Sequence, residues 1–389
     1  MADMAERHDV VVVGAGPAGL TAALALRQAG LDCVCVGPVP RPDQPDRRTT
    51  ALLDASVRLL DERLDLWRDL RPLAAPLRSL RIIDRTGRLL RAPDMMFEAG
   101  EINAEAFGYN IPNADLLARL LETLGDGMIA SAGATALHSQ PDGVRIDLAE
   151  GRSLTARLVV GADGRNSLCR ESAGIAIRSW SYDQTAMVCN FRHGRPNRDA
   201  CTEFHFRAGP FTLVPLPGQA SSLVWVENKA AAAELTAADP ASFAAEIWER
   251  TEGLLGDIVE LGPRAAFPLS ALVADRLTAE RLALIGETAH VMPPIGAQGL
   301  NLGFRDVIDL VDSVASAADP GSADVLASYE RRRRADVWSR TVAADLLNRT
   351  LTSDFPGVQL ARGLGLTALS LAGPLRRAAM RQGMSRAAV

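Results

Sequence analysis

Residues 9–30 read DVVVVGAGPAGLTAALALRQAG, and this stretch restricts the fold more than any other. Four consecutive valines leave no polar face, so the strand they form must be covered on both sides, as in a parallel sheet. A glycine turn follows at once, then an alanine- and leucine-rich helix that closes at Gly30. A second apolar strand, DCVCV, comes next. Strand, tight turn, helix and strand make one crossover unit, the seed of an α/β fold. Inside the turn, Gly14, Gly16 and Gly19 have the spacing G-x-G-x-x-G between a strand and a helix, the context in which that spacing carries chemistry. Gly14 allows the turn, Gly16 lets backbone N–H groups approach a pyrophosphate, and Gly19 lets helix and strand pack closely. Ala15, Pro17 and Ala18 complete the cradle, and the helix N-terminus directs a partial positive charge at the phosphates. One element is missing. The second strand ends Val36-Gly37-Pro38, where Asp or Glu would accept ribose hydroxyls, and Asp32 falls at that strand's start.

A chain of 389 residues has room for two domains of about 100–200 residues each. Its net charge of −5 offers no electrostatic footprint for nucleic acid. Five cysteines without a CxxC pair read as reduced thiols of an intracellular protein, so neither a disulfide framework nor a metal site is expected. The valine run is too short for a signal-peptide core, and residues 10–26 stop short of a membrane span. A soluble, cytoplasmic protein is the expectation.

Along the chain the hydrophobic period changes repeatedly. Residues 51–70 look helical, and 77–92 read as a hairpin turning at Asp84–Gly87. A meander occupies 133–160, and strands are expected at 185–191, 203–207, 211–216, 222–227 and near 264–269, with a helix at about 241–255. After 281 a buried strand, RLALIG, delivers a long helix in which Leu300, Phe304, Val307, Ile308, Val311 and Val314 share a face. The chain beyond 320 looks helical. The pattern predicts a parallel α/β core opened by insertions of antiparallel sheet, with a helical tail. The expected boundaries are 1–75, 101–178 and 273–320 for the dinucleotide-binding domain, 76–100 and 179–272 for the inserted domain, and 321–389 for the C-terminal helices.

Two further motifs bear on the site. VVGADGRNS (159–167) leaves a strand through an Asp-Gly turn and enters a short helix that Ser167 can cap. LIGETAHVMPPIGAQGLNLG (284–303) sets adjacent prolines among glycines, between a strand and a helix. Proline fixes a carbonyl's direction and glycine lets backbone approach a flat ligand. N–H groups of Gly299, Leu300 and Asn301, at the helix start, would stabilise an anion or an anion-forming ring.

In this order GAGPAG, GADGRNS and GETAHVMPPIGAQGLNLG resemble the single-component FAD-dependent aromatic hydroxylases, the family of para-hydroxybenzoate hydroxylase, over about residues 8–315. RTTAL (48–52), FGYNIPN (107–113) and the Gln298-Gly299 pair resemble its ubiquinone-biosynthesis branch. The resemblance implies a Rossmann-type FAD-binding domain with an interleaved antiparallel-sheet substrate domain and C-terminal helices. It implies that Glu287, where the family usually has Asp, holds the ribityl or ribose region, and that Arg48 reaches the FAD phosphates or the flavin face. Asn110 would lie in the flavin region, and Asp163 near the pyrophosphate and the route of the nicotinamide donor. The backbone of Pro294 would lie beside the oxygen-reacting edge of the ring, with the N–H groups of Leu300 and Asn301 on its N1–C2=O side. On this basis an Asn301→Ala change is expected to alter turnover more than stability.

The implied reaction uses NADH or NADPH as a transient reductant, and O2, to hydroxylate a polyprenylated phenol in ubiquinone biosynthesis through a flavin C4a-hydroperoxide. A single G-x-G-x-x-G fits one tightly held dinucleotide. The cofactor carries the difficult steps, so no side chain need be a nucleophile or strong acid. His290 reads as a structural histidine hydrogen-bonded within its loop, and His193, His205 and Tyr182 stay open as groups that activate the phenol. Glu203, His205 and Arg207 alternate as a solvated face would, and Phe204, Phe206, Phe211 and Trp225 read as core. Two rivals stay open: a hydroxylase of another small or polyketide-like aromatic, and a non-catalytic FAD-stabilised member of a biosynthetic complex. Near the C-terminus Leu360, Leu364, Ala368, Leu371, Ala372 and Leu375 share a helical face, followed by Arg376, Arg377, Arg381 and Arg386. The stripe is expected to pack on the body or on a partner, with peripheral contact to an anionic membrane as the alternative. Arg331–Arg334 read as a solvated face.

Overall fold

The computed structural model describes residues 6–39, 46–88, 93–294 and 296–384. Its first sheet has parallel strands in the order Leu282–Leu284, Ser153–Gly161, Glu6–Val13, Cys33–Gly37 and Met128–Ala130. Val10, Val11 and Val12 are fully buried, as a strand without a polar face requires. Burying each contributes about 1.5–3 kcal/mol of hydrophobic stabilisation. The motif helix, Pro17–Gln28, packs against a core helix, Gln298–Val314, whose apolar face is the one read from the sequence. The meander forms as Ala134–Gln140, Gly143–Leu148 and Ser153–Gly161.

The second sheet is largely antiparallel. It runs His290–Val291, Ala265–Ala274, Ile177–His193, Ala220–Asn228, Pro210–Leu216, Ala200–His205, Ser79–Asp84 and Met95–Glu98. One of its faces packs Phe204, Phe211 and Trp225 against Phe243 and Ile247 of the helix Pro240–Arg250, so these aromatics are core, as expected. Their rings meet edge to face, Phe204–Phe211 at 5.9 Å and Phe211–Trp225 at 5.2 Å. The segment 284–303 joins the two sheets. Leu282–Leu284 belongs to the first, and six residues later His290 pairs with Val273 of the second.

Three expectations need correction. Residues 51–70 are not one helix: Thr49–Leu53 is a strand paired with Gly108–Pro112, and only then come the helix Asp54–Arg58, a π-helical turn Leu59–Arg63 and the helix Trp67–Leu70. Pairing with a distant strand overrides local propensity there. The strand Ser79–Asp84 is answered by Met95–Glu98 rather than by the residues just after Gly87, of which 89–92 lie outside the described residues. Its other neighbour is the distant Ala200–His205, in parallel. The third correction concerns Arg333. In the long helix Ala323–Thr352, Arg331, Arg332 and Arg334 are exposed but Arg333 is fully buried. It falls on the buried stripe that Leu326, Tyr329, Val337 and Ala344 trace at helical spacing. Beyond it come an outer helix, Pro356–Leu371, and a terminal helix, Gly373–Met384, broken just before Pro374, which cannot donate into a continuing helix.

Candidate functional site

The three turn glycines do different work. Gly14 has φ +120°, and a Cβ there would collide with the carbonyl of Ala162. A Cβ on Gly19 would collide with the carbonyl of Gly14. Gly16 differs: no atom lies within 4 Å of the position its Cβ would take. The turn is therefore closed by protein at two glycines and open at the third. Pro17 is the first helical residue, with no side-chain cap before it and no acid in the first turn, so the N-terminal N–H groups are left for an anion. The same turn accounts for Gly37. A Cβ at 37 would stand 2.7 Å from the Ala15 nitrogen and 3.1 Å from its Cβ, so an acid at that strand end has no room. Asp32 sits at the opposite end of the strand, 3.0 Å from His8 Nδ1.

The second and third motifs close on the first. Ala162 N donates to Val13 O at 2.7 Å. Asp163 accepts from Cys169 N at 3.0 Å and from the Thr288 hydroxyl at 3.2 Å, while Gly164 N donates to that hydroxyl at 2.9 Å. Buried Arg170 donates to the carbonyls of Thr288 and Arg165, both at 2.9 Å, and its own N–H is capped by Ser167 at 2.9 Å. Gly286 has φ +59°, and a Cβ on it would lie 3.3 Å from that of Ala18. A Cβ on Gly303 would lie 3.3 Å from Gly286 Cα. Motif helix, third motif and core helix thus meet through their smallest residues.

Behind this junction lies a buried charge cluster. Asp306 accepts from His290 Nε2 at 2.6 Å, from Gly286 N at 2.9 Å and from Arg333 Nε at 2.7 Å. Arg333 also donates to Asp336 at 2.8 Å and to Asp309 at 3.1 Å. Burial alone would raise the Asp306 carboxyl, yet His290 and Arg333 beside it hold it below the usual carboxylate range. His290 is hydrogen-bonded as expected, but to the core helix rather than within its loop. Arg340 extends the cluster to the loop, donating to Gln298 Oε1 at 3.0 Å, and Gln298 in turn donates to Gly296 O at 3.0 Å.

Of the individually expected residues, Arg48 is half-exposed and held by Asp46 through contacts of 2.9 and 2.7 Å. The hydrogen bond to Asp46 raises the already high pKa of the Arg48 guanidinium, and the negative charge of the exposed Glu287 adds to that effect. Pro294 and Gly299 are exposed and Leu300 is half-buried, at the start of a core helix that has neither a side-chain cap nor an acid in its first turn. Asn110 is buried and donates to Pro215 O at 2.8 Å, tying the small three-stranded sheet to the antiparallel one. The Asn301 side chain is fully engaged: it accepts from Leu53 N at 2.8 Å and Ser56 Oγ at 2.6 Å, and donates to Ala51 O and Ala297 O at 2.7 and 2.5 Å. These ties give the Asn301 side chain a structural role beside the cofactor role expected of the residue. The three groups open as phenol activators are also engaged. His193 bonds Arg195 O and Ser221 Oγ, Tyr182 donates to Asp345, and His205 lies between Glu203 and Arg362. Burial pushes the His193 pKa down and the Tyr182 hydroxyl up. The sequence reading missed Asp46, Thr288, Asp306 and Arg333. Thr288 lay inside a quoted motif, and Arg333 lay on the helical stripe, but no spacing singles out Asp46.

This arrangement of an anion-receptive turn locked to two later motifs is that of a flavin-dependent monooxygenase. An FAD-binding-domain family matches residues 7–344, and the chain belongs to it. It is an FAD-dependent hydroxylase, with FAD as cofactor. It is 38% identical to ubiquinone hydroxylase UbiL of Rhodospirillum rubrum, over 97% of this chain and 89% of that protein. It is 31% identical to the 3-demethoxyubiquinol 3-hydroxylase of Escherichia coli, over 96% and 97%. In structure it matches HpxO of Klebsiella pneumoniae, solved with FAD and uric acid, with a TM-score of 0.79 at 20% identity over 96% of each chain. The p-nitrophenol 4-monooxygenase of Pseudomonas putida gives 0.79 at 19% identity, over 99% of this chain and 100% of that one.

Proposed function

We propose that this enzyme hydroxylates the phenol ring of a lipid-tailed, polyprenylated intermediate of ubiquinone synthesis, with NADH or NADPH as reductant and O2 as co-substrate. The names of its relatives support the substrate class. The observation that carries the cofactor placement is the turn itself, open at Gly16 alone and facing the uncapped motif helix. In this reading the N–H groups of Gly14–Gly19 hold the pyrophosphate, with Asp163 beside it. Arg48 and Glu287 flank the sugar and ring. The Pro294 carbonyl and the N–H groups of Gly299, Leu300 and Asn301 border the ring's reactive and anionic edges. Asn110 acts through the sheets it joins. FAD, when bound there, would supply the redox and oxygen-transfer chemistry. The protein positions the two rings and excludes water. The segments 1–75, 101–178 and 273–320 would form the FAD-binding domain, with 76–100 and 179–272 as the substrate domain and 321–389 as the helical tail.

The test is an absorbance spectrum, anaerobic titration with NADH or NADPH, then air with a prenylated or a small phenol. Flavin bands that bleach and recover with hydroxylated prenylated product are expected. Hydroxylation of the small phenol alone would transfer the assignment to the rival substrate class. Flavin that neither nicotinamide reduces would overturn the reductant.

A further inference from the structure

The bend that leads into the core helix is a strained one. Gly296 has φ +65°, and Ala297, at the N-cap position, has φ +54° and ψ +34°. Two left-handed residues in succession are uncommon, and alanine, with its Cβ, keeps that conformation only where its surroundings impose it. The ties that impose it are side chains. Gln298 Nε2 donates back to Gly296 O at 3.0 Å, and Asn301 Nδ2 to Ala297 O at 2.5 Å. Both carbonyls are thus tied back, while the first N–H groups of the helix have no side-chain cap. Asn301 is anchored in turn by the strand Thr49–Leu53 and by Ser56. Gln298 is anchored by half-buried Arg340, whose Nη1 donates to Gln298 Oε1 at 3.0 Å while its Nε donates to Asp336 at 2.7 Å.

Arg340 stands on a stretch of helix that is fixed at both ends. It lies one turn beyond Asp336 on the long helix Ala323–Thr352. Before it, Arg333 holds that helix to Asp306 and Asp309 of the core helix. Beyond it, Tyr182 of the second sheet donates to Asp345 at 2.6 Å, and Asn348 donates to Gln184 at 2.8 Å. A guanidinium presents its N–H groups in a rigid fork, so it can join acceptors on two elements at once. Here the fork joins Asp336 of the long helix to Gln298 of the third motif.

We propose that Arg340 is a positioning residue for the hydroxylation: through Gln298 it fixes the bend 296–298, and with it the helix-start N–H groups at the anionic edge of the flavin. This rests on the proposed placement of that loop beside the ring. The test compares Gln298→Ala, which cuts the clasp and leaves the Arg340–Asp336 pair whole, with Arg340→Lys, which keeps a charge at Asp336 but lacks the fork. Amide exchange over residues 296–304 is read in the flavin-free protein. The FAD dissociation constant and the flavin midpoint potential are read in the loaded one, beside the melting temperature. Both variants should exchange faster over that segment and bind FAD more weakly, each by about twofold to tenfold, the worth of one hydrogen bond. The midpoint potential should fall, because loosened N–H groups stabilise the negative charge of a reduced ring less. The melting temperature of Arg340→Lys should stay within about 2 °C of wild type. Unchanged exchange in both variants would overturn the clasp and leave the cofactor placement standing. Faster exchange with FAD affinity and potential unmoved would put the loop away from the flavin, overturning that placement and the proposal together. A lower melting temperature with nothing else moved would make Arg340 a packing residue and overturn the proposal as well.

Discussion

Gly16 and Gly19 lie three residues apart in one turn, yet the structure separates their roles. At Gly16 the backbone is extended and the space is open, so Gly16→Val should change folding stability by no more than about 0.5 kcal/mol while abolishing FAD retention. At Gly19 the obstacle is backbone, so Gly19→Ala should cost about 1–3 kcal/mol in stability. Thermal unfolding beside flavin absorbance of the purified variants separates the two, and a stable, flavin-loaded Gly16→Val protein would remove the motif's assignment. Asn301 makes the opposite point. Its side chain holds four groups of the backbone and of Ser56, so Asn301→Ala strands buried donors and acceptors at a cost of about 1–3 kcal/mol. Urea denaturation checks this, and an unchanged midpoint would show that the ties are replaceable. The glycines were legible because their chemistry is in the backbone. Three of the four Asn301 ties join residues more than 240 positions apart, which no local pattern reveals.

At the scale of elements, the long helix is held to the core helix by charge buried between them. The substitution Arg333→Met leaves Asp306, Asp309 and Asp336 buried without their shared cation, a loss of about 3–5 kcal/mol. The cluster also predicts a pH dependence. Burial would raise both Asp306 and Asp336, but Arg333, with His290 on the first and Arg340 on the second, holds their folded-state pKa values below normal. A depressed carboxylate contributes stability that is present above its unfolded pKa of about 3.9 and lost as pH falls through the folded value. Wild-type stability should therefore decline below about pH 4. Urea midpoints at about pH 7 and about pH 3 test it, and an Arg333→Met variant as acid-sensitive as wild type would count against this origin. The four-arginine run looked solvated because composition averages over it, whereas the helical phase of its neighbours buries one member.

Across the whole molecule, residues 284–303 stitch the parallel sheet to the antiparallel one, and the C-terminal helices close the latter's edge. Leu366 and Leu369 of the outer helix and Met380 of the terminal helix cover Met95, Phe97, Leu80 and Ile82. Deleting residues 355–389 should therefore lower the melting temperature and raise binding of an apolar dye, while FAD, which we propose is held at the glycine turn, is retained. Flavin loss on that deletion would mean that the tail supports the cofactor site directly.

The sequence alone determined the elements whose cause is local: the all-buried valine strand, the glycine turn, the meander and the apolar face of the core helix. It also carried the family, because three separate motifs preserve backbone geometry that few residue types allow. Only the tertiary structure decided that Thr49–Leu53 is a strand, that Ser79–Asp84 finds its partners at Met95–Glu98 and Ala200–His205, and that Arg333 is core. It also turned the outer helix's leucines to the outside. Each of these depends on which distant surface arrives opposite, and that is set by packing of the whole chain rather than by any short run of residues.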